Sequence, residues 1–510
     1  MSTRVEAILG SITEVKADAI VVNLFQGVDS PQGATRAVDH ALGGLITQLI
    51  AQGEITGRLN TATLIHSQDR LPSPRVIVTG LGPAESFHLR RARQAAAAAA
   101  LAARKAGVKT LATVVHGAGA GGQDPAQAAA AVAEASLVAL YRYLEFKSRP
   151  DESPGALDGL LLVESDPARF SAVAEGARLG AVLGEATNLC RDLTMRPPNY
   201  CTPSLLAEAA QDLGRKLGLE VEVYGPAEIE ALKLEGIMAV ARGSQEPPRL
   251  IVARHHGGNP EERPDLALVG KGVTFDAGGI MIKTTRSIEH MKSDMAGAGA
   301  VIAAMAAAAR LGVPRELVAV IPAVENLPSG SATLPGAVIR LQGGQTVEIA
   351  STDAEGRLCL ADAVAYACRR LGARAVVDAA TLTGSCVQAF GHYTSGLLSN
   401  HRPLEAAVLA AAEEAGERVW PLPLFEEYWE LLRSDTADFK NTGITAKAGV
   451  ILGALIIGQQ AQNTPWAHLD IAGPAWLEER FGYLPPGATG AGTRTLALLA
   501  LRLPDRGEQA

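Results

Sequence analysis

The stretch that decides the fold is Leu266–Asp294, which reads LALVGKGVTFDAGGIMIKTTRSIEHMKSD. Its first four residues form an apolar run of strand length, and Lys271 follows almost at once. Asp276 stands just before two glycines, where the backbone can turn sharply. Asp294 precedes the Ala-rich stretch Met295–Leu311, which predicts a helix. This order predicts an α/β domain whose functional groups lie at the carboxyl ends of strands.

A second polar segment, Thr346–Ala363, reads TVEIASTDAEGRLCLADA. Its first residues predict a strand, Thr346–Ile349, that runs into Asp353, Glu355 and Arg357. If the chain stays extended there, the period of two points these three side chains the same way. We expect a helix to begin near Arg357. The partial positive charge at its N-terminus would favour an anion pocket beside the guanidinium.

Short apolar runs bounded by turn residues recur on both sides of these segments and predict further strands. They are Ala19–Leu24, Arg75–Thr79, Thr110–His116, Leu160–Val163, Leu250–Ala253, Leu317–Ile321 and Ala375–Asp378. Helical stretches alternate with them, among them Arg90–Gly107 and a long helix over Ala168–Leu193. We predict a smaller N-terminal α/β domain (1–165), a linker helix (166–195) and a larger C-terminal α/β domain (196–510).

The composition restricts the class of protein. The 510 residues carry 46 Lys and Arg against 54 Asp and Glu, a formal net charge of −8, which argues against nucleic acid as a partner. The 47% of hydrophobic residues excludes wholesale disorder. Five cysteines without a CxxC pair fit a reducing compartment. There is no signal-peptide apolar core, and the run Gly449–Gly458 is too short to span a bilayer. We expect a soluble, cytoplasmic protein without a membrane partner.

A glycine-rich loop offers one alternative function. Gly117, Gly119 and Gly122 match the G-x-G-x-x-G pattern of dinucleotide sites and follow a predicted strand. The next helix begins only at Asp124–Pro125, after the last glycine, so a plain strand-to-helix loop is favoured over a nicotinamide-dependent enzyme. A non-catalytic scaffold with a DNA-binding role is the other alternative, and the net charge of −8 disfavours it.

The four carboxylates of the two polar segments carry a charge of −4 together. Converging on a partly buried site, they could not all stay ionised without cationic partners. Two divalent cations would neutralise them, and Lys271 could then bind as a neutral amine, because nearby dications depress its pKa. Oxygen ligands with one nitrogen and no thiolate suit Mn, Zn, Co or Mg.

Together these segments resemble the leucyl aminopeptidase (cytosol aminopeptidase) family. Residues 351–358, STDAEGRL, match the family's signature NTDAEGRL except at Ser351. Residues 271–280 (KGVTFDAGGI) and 291–295 (MKSDM) match its other metal-binding segments. Further matches span the second domain, at 325–330, 380–384, 466–473 and 487–490. The resemblance implies a smaller N-terminal α/β domain, a linking helix and a larger catalytic α/β domain with a central mixed sheet flanked by helices.

The resemblance also implies roles for individual residues. The metal ligands would be Lys271, Asp276, Asp294, Asp353 and Glu355. Asp276 and Glu355 would bridge both ions, Lys271 and Asp294 would complete the tighter site, and Asp353 the more exchangeable one. The catalytic pair would be Lys283 and Arg357, with bicarbonate at the arginine as a proton shuttle. The substrate-binding residues would be Met291, Thr381, Leu382, Gly384, Ala472 and Ala475.

The implied enzyme is a metallo-exopeptidase, a hydrolase that removes the N-terminal residue of peptides. Its cofactors would be two divalent ions per subunit, Mn or Zn, and a hydroxide bridging them would be the nucleophile. The pocket suits Leu-like and Met-like apolar residues, and the family assembly is a homohexamer. The chain departs from the family at Ser351, Leu334, Ala337 and within Asn441–Gly449, none of which is an implied metal ligand.

Overall fold

The computed structural model describes residues 3–148, 155, 157–284, 288–443 and 447–503. The chain divides into two compact units. The N-terminal unit comprises residues 1–188 with 479–485, and the C-terminal unit comprises residues 189–478 with 486–510. The division falls near the end of the long helix Pro167–Met195.

The N-terminal unit alternates strands and helices. Its strands are β1 (Arg4–Leu9), β2 (Ala19–Leu24), β3 (Ala62–His66), β4 (Arg75–Gly80), β5 (Thr110–Val114) and β6 (Gly159–Glu164). Its helices are α1 (Gly33–Ala41), α2 (Leu45–Ala51), α3 (Leu89–Lys105), α4 (Pro125–Leu140) and most of α5 (Pro167–Met195), with a 3₁₀ turn at Ala84–Ser86.

These strands form one six-stranded sheet in the order β1-β6-β5-β2-β4-β3. Every neighbouring pair is parallel except β3 and β4. Buried apolar side chains cover both faces of the sheet, as parallel strands require. Small residues let the helices approach closely. At Gly176 of α5, for example, an added Cβ would lie 2.0 Å from the Ala126 carbonyl oxygen of α4.

The C-terminal unit contains the remaining elements. Its strands are β7 (Glu220–Tyr224), β8 (Arg249–His256), β9 (Leu266–Gly270), β10 (Gly272–Asp276), β11 (Glu316–Asn326), β12 (Val338–Arg340), β13 (Thr346–Glu348), β14 (Val376–Ala380), β15 (Ser395–Ser399), β16 (Val419–Pro421), β17 (Phe439–Lys440), β18 (Trp466–Asp470), β19 (Trp476–Leu477) and β20 (Gly487–Ala488). Its helices are α6 (Pro203–Leu217), α7 (Pro226–Ala231), α8 (Glu235–Ala241), α9 (Ala296–Leu311), α10 (Gly356–Arg369), α11 (Gly384–Phe390), α12 (Arg402–Ala415), α13 (Gly449–Gly458) and α14 (Thr493–Arg502), with 3₁₀ turns at Pro198–Tyr200, Ile288–Met295 and Glu426–Leu432.

The main sheet of this unit is mixed, in the order β16-β15-β18-β14-β9-β11-β8-β7, with β10 pairing with β11. Its centre, β18, β14, β9, β11 and β10, is parallel, so the carboxyl ends of these strands share one edge. Residues of β9, β14 and β18 are buried throughout, which explains the apolar sequence of β9 and the few polar residues of the other two. The predicted fold, two α/β parts with a mixed sheet in the larger one, is confirmed.

Helix α9 packs against β9 and β14 of this sheet. Its small residues allow close packing, since an added Cβ at Gly297 would lie 2.1 Å from the Ala379 carbonyl oxygen. Among the described residues, Ile288–Leu311 is the one helical stretch long and apolar enough to cross a membrane. The most apolar window of that stretch is 83% buried inside the protein, as befits a core helix.

Candidate active site

The five residues implied as metal ligands lie together at the carboxyl edge of the C-terminal sheet. Lys271 follows β9, Asp276 ends β10, and Asp294 stands just before α9. Asp353 and Glu355 occupy the turn that leads into α10. The turn after Asp276 needs two residues with positive φ. Gly278 and Gly279, the glycines predicted to bend the chain there, have φ of +90° and +63°.

Lys271 is at the buried end of the cluster. Its Nζ lies 2.8 Å from both carboxylate oxygens of Asp294 and 2.8 Å from Oε1 of Glu355. It also donates to the Thr381 carbonyl oxygen at 3.0 Å, while the Thr381 hydroxyl donates to Asp294 at 2.8 Å. Only 2% of Lys271 is exposed, so its amine belongs to the site and not to the solvent.

Lys283 is at the open end. Its Nζ lies 2.7 Å from Oδ2 of Asp276 and 2.6 Å from Oδ1 of Asp353. The Asp353 side chain is 40% exposed, which makes it the most accessible of the four carboxylates. The other Asp276 oxygen accepts hydrogen bonds from the Asn326 amide at 2.8 Å and from the Gly278 N–H at 2.9 Å.

The two lysines do not balance the charge of the cluster. Four carboxylates and two ammonium groups leave a formal −2. Burial raises the pKa of Asp276 to about 6, with Glu355 adding repulsion, and burial raises the pKa of Asp294 to about 8. Burial also raises the pKa of Asp353. Glu355 is the exception, because Lys271 and Lys283 outweigh its burial and lower its pKa. The site is therefore short of positive charge.

The donors present fit divalent cations. Carboxylate oxygens of Asp276, Asp353 and Glu355 lie within 4.8 Å of one another, close enough to share an ion. The buried Oδ2 of Asp294 lies 2.8 Å from the Lys271 Nζ but accepts no hydrogen bond of good geometry from the described residues. Cations with a total charge of +2 or more would neutralise the remaining charge, which the surrounding protein does not.

Arg357 lies in the first turn of α10 and is buried. Its Nη1 donates to the Asn441 carbonyl oxygen at 3.0 Å, and its Nε has no hydrogen-bond partner among the described residues. The chain from Asp353 to Arg357 is not extended, so the alternation that would point these side chains the same way does not apply. Glu355 already has helical dihedrals, and the helix begins at Gly356. The helix begins where the sequence predicts, and its N-terminus and the unpartnered Nε favour an anion.

The residues implied as the substrate pocket surround this edge. Met291 lies in the 3₁₀ turn before Asp294, and Thr381 contacts Asp294 directly. Leu382 and Ala472 each donate a backbone hydrogen bond to Oδ1 of Asp470, at 3.3 and 3.1 Å. The remaining two differ in exposure, since Gly384 is exposed at the start of α11 and Ala475 is buried.

Asn441 is a positioning residue that the sequence did not identify. It is fully buried, and its side-chain oxygen accepts from the N–H groups of Ala350 and Ser351 at 2.9 and 3.1 Å. Its amide donates to the carbonyl oxygens of Ser351 and Ala354 at 2.6 and 3.2 Å. One asparagine from a distant segment thus shapes the turn that holds Asp353. No local sequence signal marks this contact, because it joins positions about 90 residues apart.

The departures from the family pattern that lie among the described residues replace no side chain of the carboxylate and lysine cluster. Ser351 accepts a hydrogen bond from the Asp353 N–H at 3.3 Å, a task that an asparagine oxygen could also perform. Leu334 is 59% exposed and the Leu334–Ala337 turn contributes no group to the cluster. Of Asn441–Gly449, residues 444–446 lie outside the described residues.

An α/β fold with a buried cluster of carboxylates and lysines at the strand ends is typical of metal-dependent hydrolases. Comparison with known proteins agrees. Residues 188–497 match the model of the cytosol aminopeptidase family, catalytic domain, and residues 21–150 match the model of the N-terminal domain of the same family. The chain belongs to the cytosol aminopeptidase family. It is a metallo-exopeptidase that acts on peptides.

Individual relatives support this membership. A probable cytosol aminopeptidase of Geobacter sulfurreducens is 42% identical over 460 residues, which cover 90% of this chain and 91% of that protein. Another, of Alkaliphilus metalliredigens, is 38% identical and covers 96% and 97% of the two chains. The bottromycin maturation enzyme BotP in complex with Mn is 36% identical with a TM-score of 0.83, covering 96% of this chain and 99% of that one. A mutant of tomato leucine aminopeptidase is 28% identical with a TM-score of 0.85, covering 98% and 97%.

The contacts of Asn441 generate a stability prediction. Replacing Asn441 by Ala leaves the backbone groups of the Ser351–Ala354 turn buried without their partner. We expect the free energy of unfolding to fall by about 2–4 kcal/mol, measured by urea denaturation. Asn463→Ala, at an exposed position in the same unit, is the matched control and should change stability little. Equal stability of Asn441→Ala and the control would contradict the assigned role.

Proposed function

We propose that the chain is a two-metal aminopeptidase that prefers Leu-like and Met-like N-terminal residues. The observation that carries the proposal is the convergence of four carboxylates and two lysine amines at one edge of the sheet, with a formal −2 left over. Peptide hydrolysis at neutral pH needs an activated nucleophile and positive charge at the scissile carbonyl. A carboxylate cluster that lacks positive charge can bind cations that activate the nucleophile. The lysine beside it supplies positive charge at the carbonyl.

The ligand set would divide between two ions. Asp276 and Glu355, which lie between the two lysines, are suited to bridge both. Lys271 and Asp294 are buried and would hold the tighter ion, while the more exposed Asp353 would hold the more exchangeable one. Mn and Zn are the proposed metals because oxygen donors with one amine suit both. Lys271 must lose its proton to act as a ligand, so loading the site should release protons.

Two divalent ions bound there would lower the pKa of a bridging water and supply hydroxide near neutral pH. The chain's own groups would do the rest. The Lys283 ammonium would leave its carboxylate partners and donate to the scissile carbonyl oxygen as negative charge develops on it. In the site without ions, charge from Asp276 and Glu355 raises the pKa of Lys283 despite its burial.

Arg357 would hold a small anion, with bicarbonate as the proposed occupant and proton shuttle. Its guanidinium keeps its charge at every working pH, and its buried Nε is available to donate. The first turn of α10 adds unpaired N–H groups beside it. An anion placed there would pass a proton toward the leaving amine.

The free α-amine of the substrate explains exopeptidase specificity. The neutral α-amine would bind one of the ions, which would restrict cleavage to the first residue, and Asp353 is the carboxylate most open to an incoming peptide. Met291 and Thr381, with Leu382, Gly384, Ala472 and Ala475, would line the pocket for the first side chain. Thioether and aliphatic surfaces favour an apolar residue over an acidic one.

The proposal extends to the setting of the enzyme. We propose the homohexamer and the cytoplasm that the family resemblance implies, and domains at 1–165 and 196–510 joined by a helix at 166–195. Trp420 and Phe425 of the C-terminal unit are 63% and 60% exposed, and large apolar side chains in such positions are common at subunit contacts. We also propose that its partners are peptide substrates and that neither membranes nor nucleic acids are.

Substitution of Glu355 by Gln or of Lys283 by Ala tests the catalytic assignment. Each removes a charge that would act on the reacting atoms, so kcat on leucine anilide should fall by about 10²–10⁴-fold. Lys216→Ala, an exposed lysine at the end of α6, is the control and should keep full activity. Circular dichroism should show the fold intact in all three variants. Near-normal turnover by either site variant would refute the assignment.

A panel of substrates tests the pocket and the amine requirement. Leucine and methionine anilides should be cleaved with a kcat/KM well above that of the aspartate anilide, by about tenfold or more. An N-acetylated leucine peptide should not be cleaved, because acetylation turns the amine that would bind an ion into an amide, whose nitrogen is a poor metal ligand. Efficient cleavage of the acetylated peptide would rule out the amine requirement, and a preference for aspartate would rule out the apolar pocket.

A further inference from the structure

The N-terminal unit contains a cavity of about 680 Å³ that the proposed peptidase function does not use. Residues just past the carboxyl ends of β1, β2, β5 and β6 line it. A cavity of this size is in the range of small-molecule sites. Its polar and apolar lining is mixed, as in a site that binds an organic anion.

The cavity lies where the sheet changes direction. Strands β2 and β5 are neighbours, but the chain continues from β2 to β3 and β4 on one side and from β5 to β6 on the other. In open parallel sheets, the crevice at such a switch point is where ligands bind. Helix α1 follows β2 and the glycine-rich loop 117–122 follows β5, so both reach this crevice.

Two groups of backbone donors line the cavity. In the glycine-rich loop, the N–H groups of Gly119, Ala120 and Gly121 donate to no other group in the described part of the chain. At the start of α1, Gln32 makes no side-chain capping bond, so the first-turn N–H groups of residues 33–35 are also available. By contrast, the Asp124 carboxylate already caps α4. The helix N-terminus without a side-chain cap is therefore that of α1, and not that of the helix after the glycine motif.

The rest of the cavity suits a flat apolar group. Leu24, Phe25, Val28 and Leu81 contribute apolar surface, and Phe25 is held edge-on against Phe87 with ring centroids 5.3 Å apart. The one arginine of the lining, Arg169, pairs with Glu164 at 3.0 Å and donates to the Ala118 carbonyl oxygen of the loop at 3.2 Å. Arg169 thus fixes the loop, and the backbone amides remain as hydrogen-bond donors.

We infer that this cavity binds a nucleoside diphosphate, with its phosphates on the amides of the glycine-rich loop and of α1 and its base against the apolar wall. Unpaired N–H groups at a helix N-terminus and in a glycine-rich loop are the donors that phosphate oxygens find in nucleotide sites. The remaining apolar surface accepts the base by stacking. The site is separate from the carboxylate cluster and does not depend on the proposed peptidase function.

Isothermal titration calorimetry on the full-length protein tests the inference with ADP, adenosine and pyrophosphate. ADP should bind about tenfold or more tightly than adenosine or pyrophosphate, because it alone meets both parts of the cavity. An added Cβ at Gly119 meets no atom within 4 Å and the backbone there does not require glycine, so Gly119→Leu should fill the cavity without distorting the fold. Its ADP affinity should fall at least about tenfold, and Gly119→Ala should lose far less.

The controls separate this site from the catalytic one. Gly330→Leu places the same side chain in open space in the C-terminal unit and should leave ADP affinity unchanged. Gly119→Leu should retain aminopeptidase turnover, which shows that the chain is folded. Absence of ADP binding at millimolar concentration, unchanged affinity in Gly119→Leu, or pyrophosphate binding as tightly as ADP would each overturn the inference. Unchanged affinity in that variant would place the phosphates at the metal site.

Discussion

The structure depends on how the negative charge of one buried carboxylate cluster is compensated. Four carboxylates converge at one edge of the C-terminal sheet, and the two lysines among them offset only half of their charge. Burial makes each uncompensated charge costly, and the raised pKa values of Asp276 and Asp294 are the direct expression of that cost. The protein maintains an arrangement that is unfavourable for stability on its own, as functional sites commonly do.

The scaffold explains how such an arrangement persists. Five parallel strands bring their carboxyl ends to one edge, and the small residues of α9 let Asp294 approach Lys271 closely. A hydrogen bond donated by Asn326 holds Asp276, and hydrogen bonds that Asn441 accepts and donates hold the turn around Asp353. Rigid elements and a surrounding layer of amide hydrogen bonds provide the preorganisation that catalysis requires.

Much of this could be predicted from the sequence, for identifiable reasons. Strand β2 lies at Ala19–Leu24 as predicted, because a buried strand bounded by turns has a clear apolar signature. The residues of the proposed site came from the resemblance of three segments to a family signature, and the structure brings these residues together at one edge. Two features were not accessible. The helical dihedrals of Glu355 follow from the position of the helix start, which periodicity places only approximately. The role of Asn441 arises from a contact between distant segments, which local patterns do not encode.

The central claim is that divalent ions supply the charge that the lysines do not. Anomalous diffraction at the manganese edge, from crystals grown with Mn²⁺ and active on leucine anilide, tests it directly. The account predicts two peaks about 3.5–4 Å apart, one beside Lys271 and Asp294 and the other beside Asp353, with Asp276 and Glu355 contacting both and the Lys283 amine displaced from Asp276. Active crystals whose cluster holds no anomalous scatterer, with both lysines still paired to the carboxylates, would contradict it.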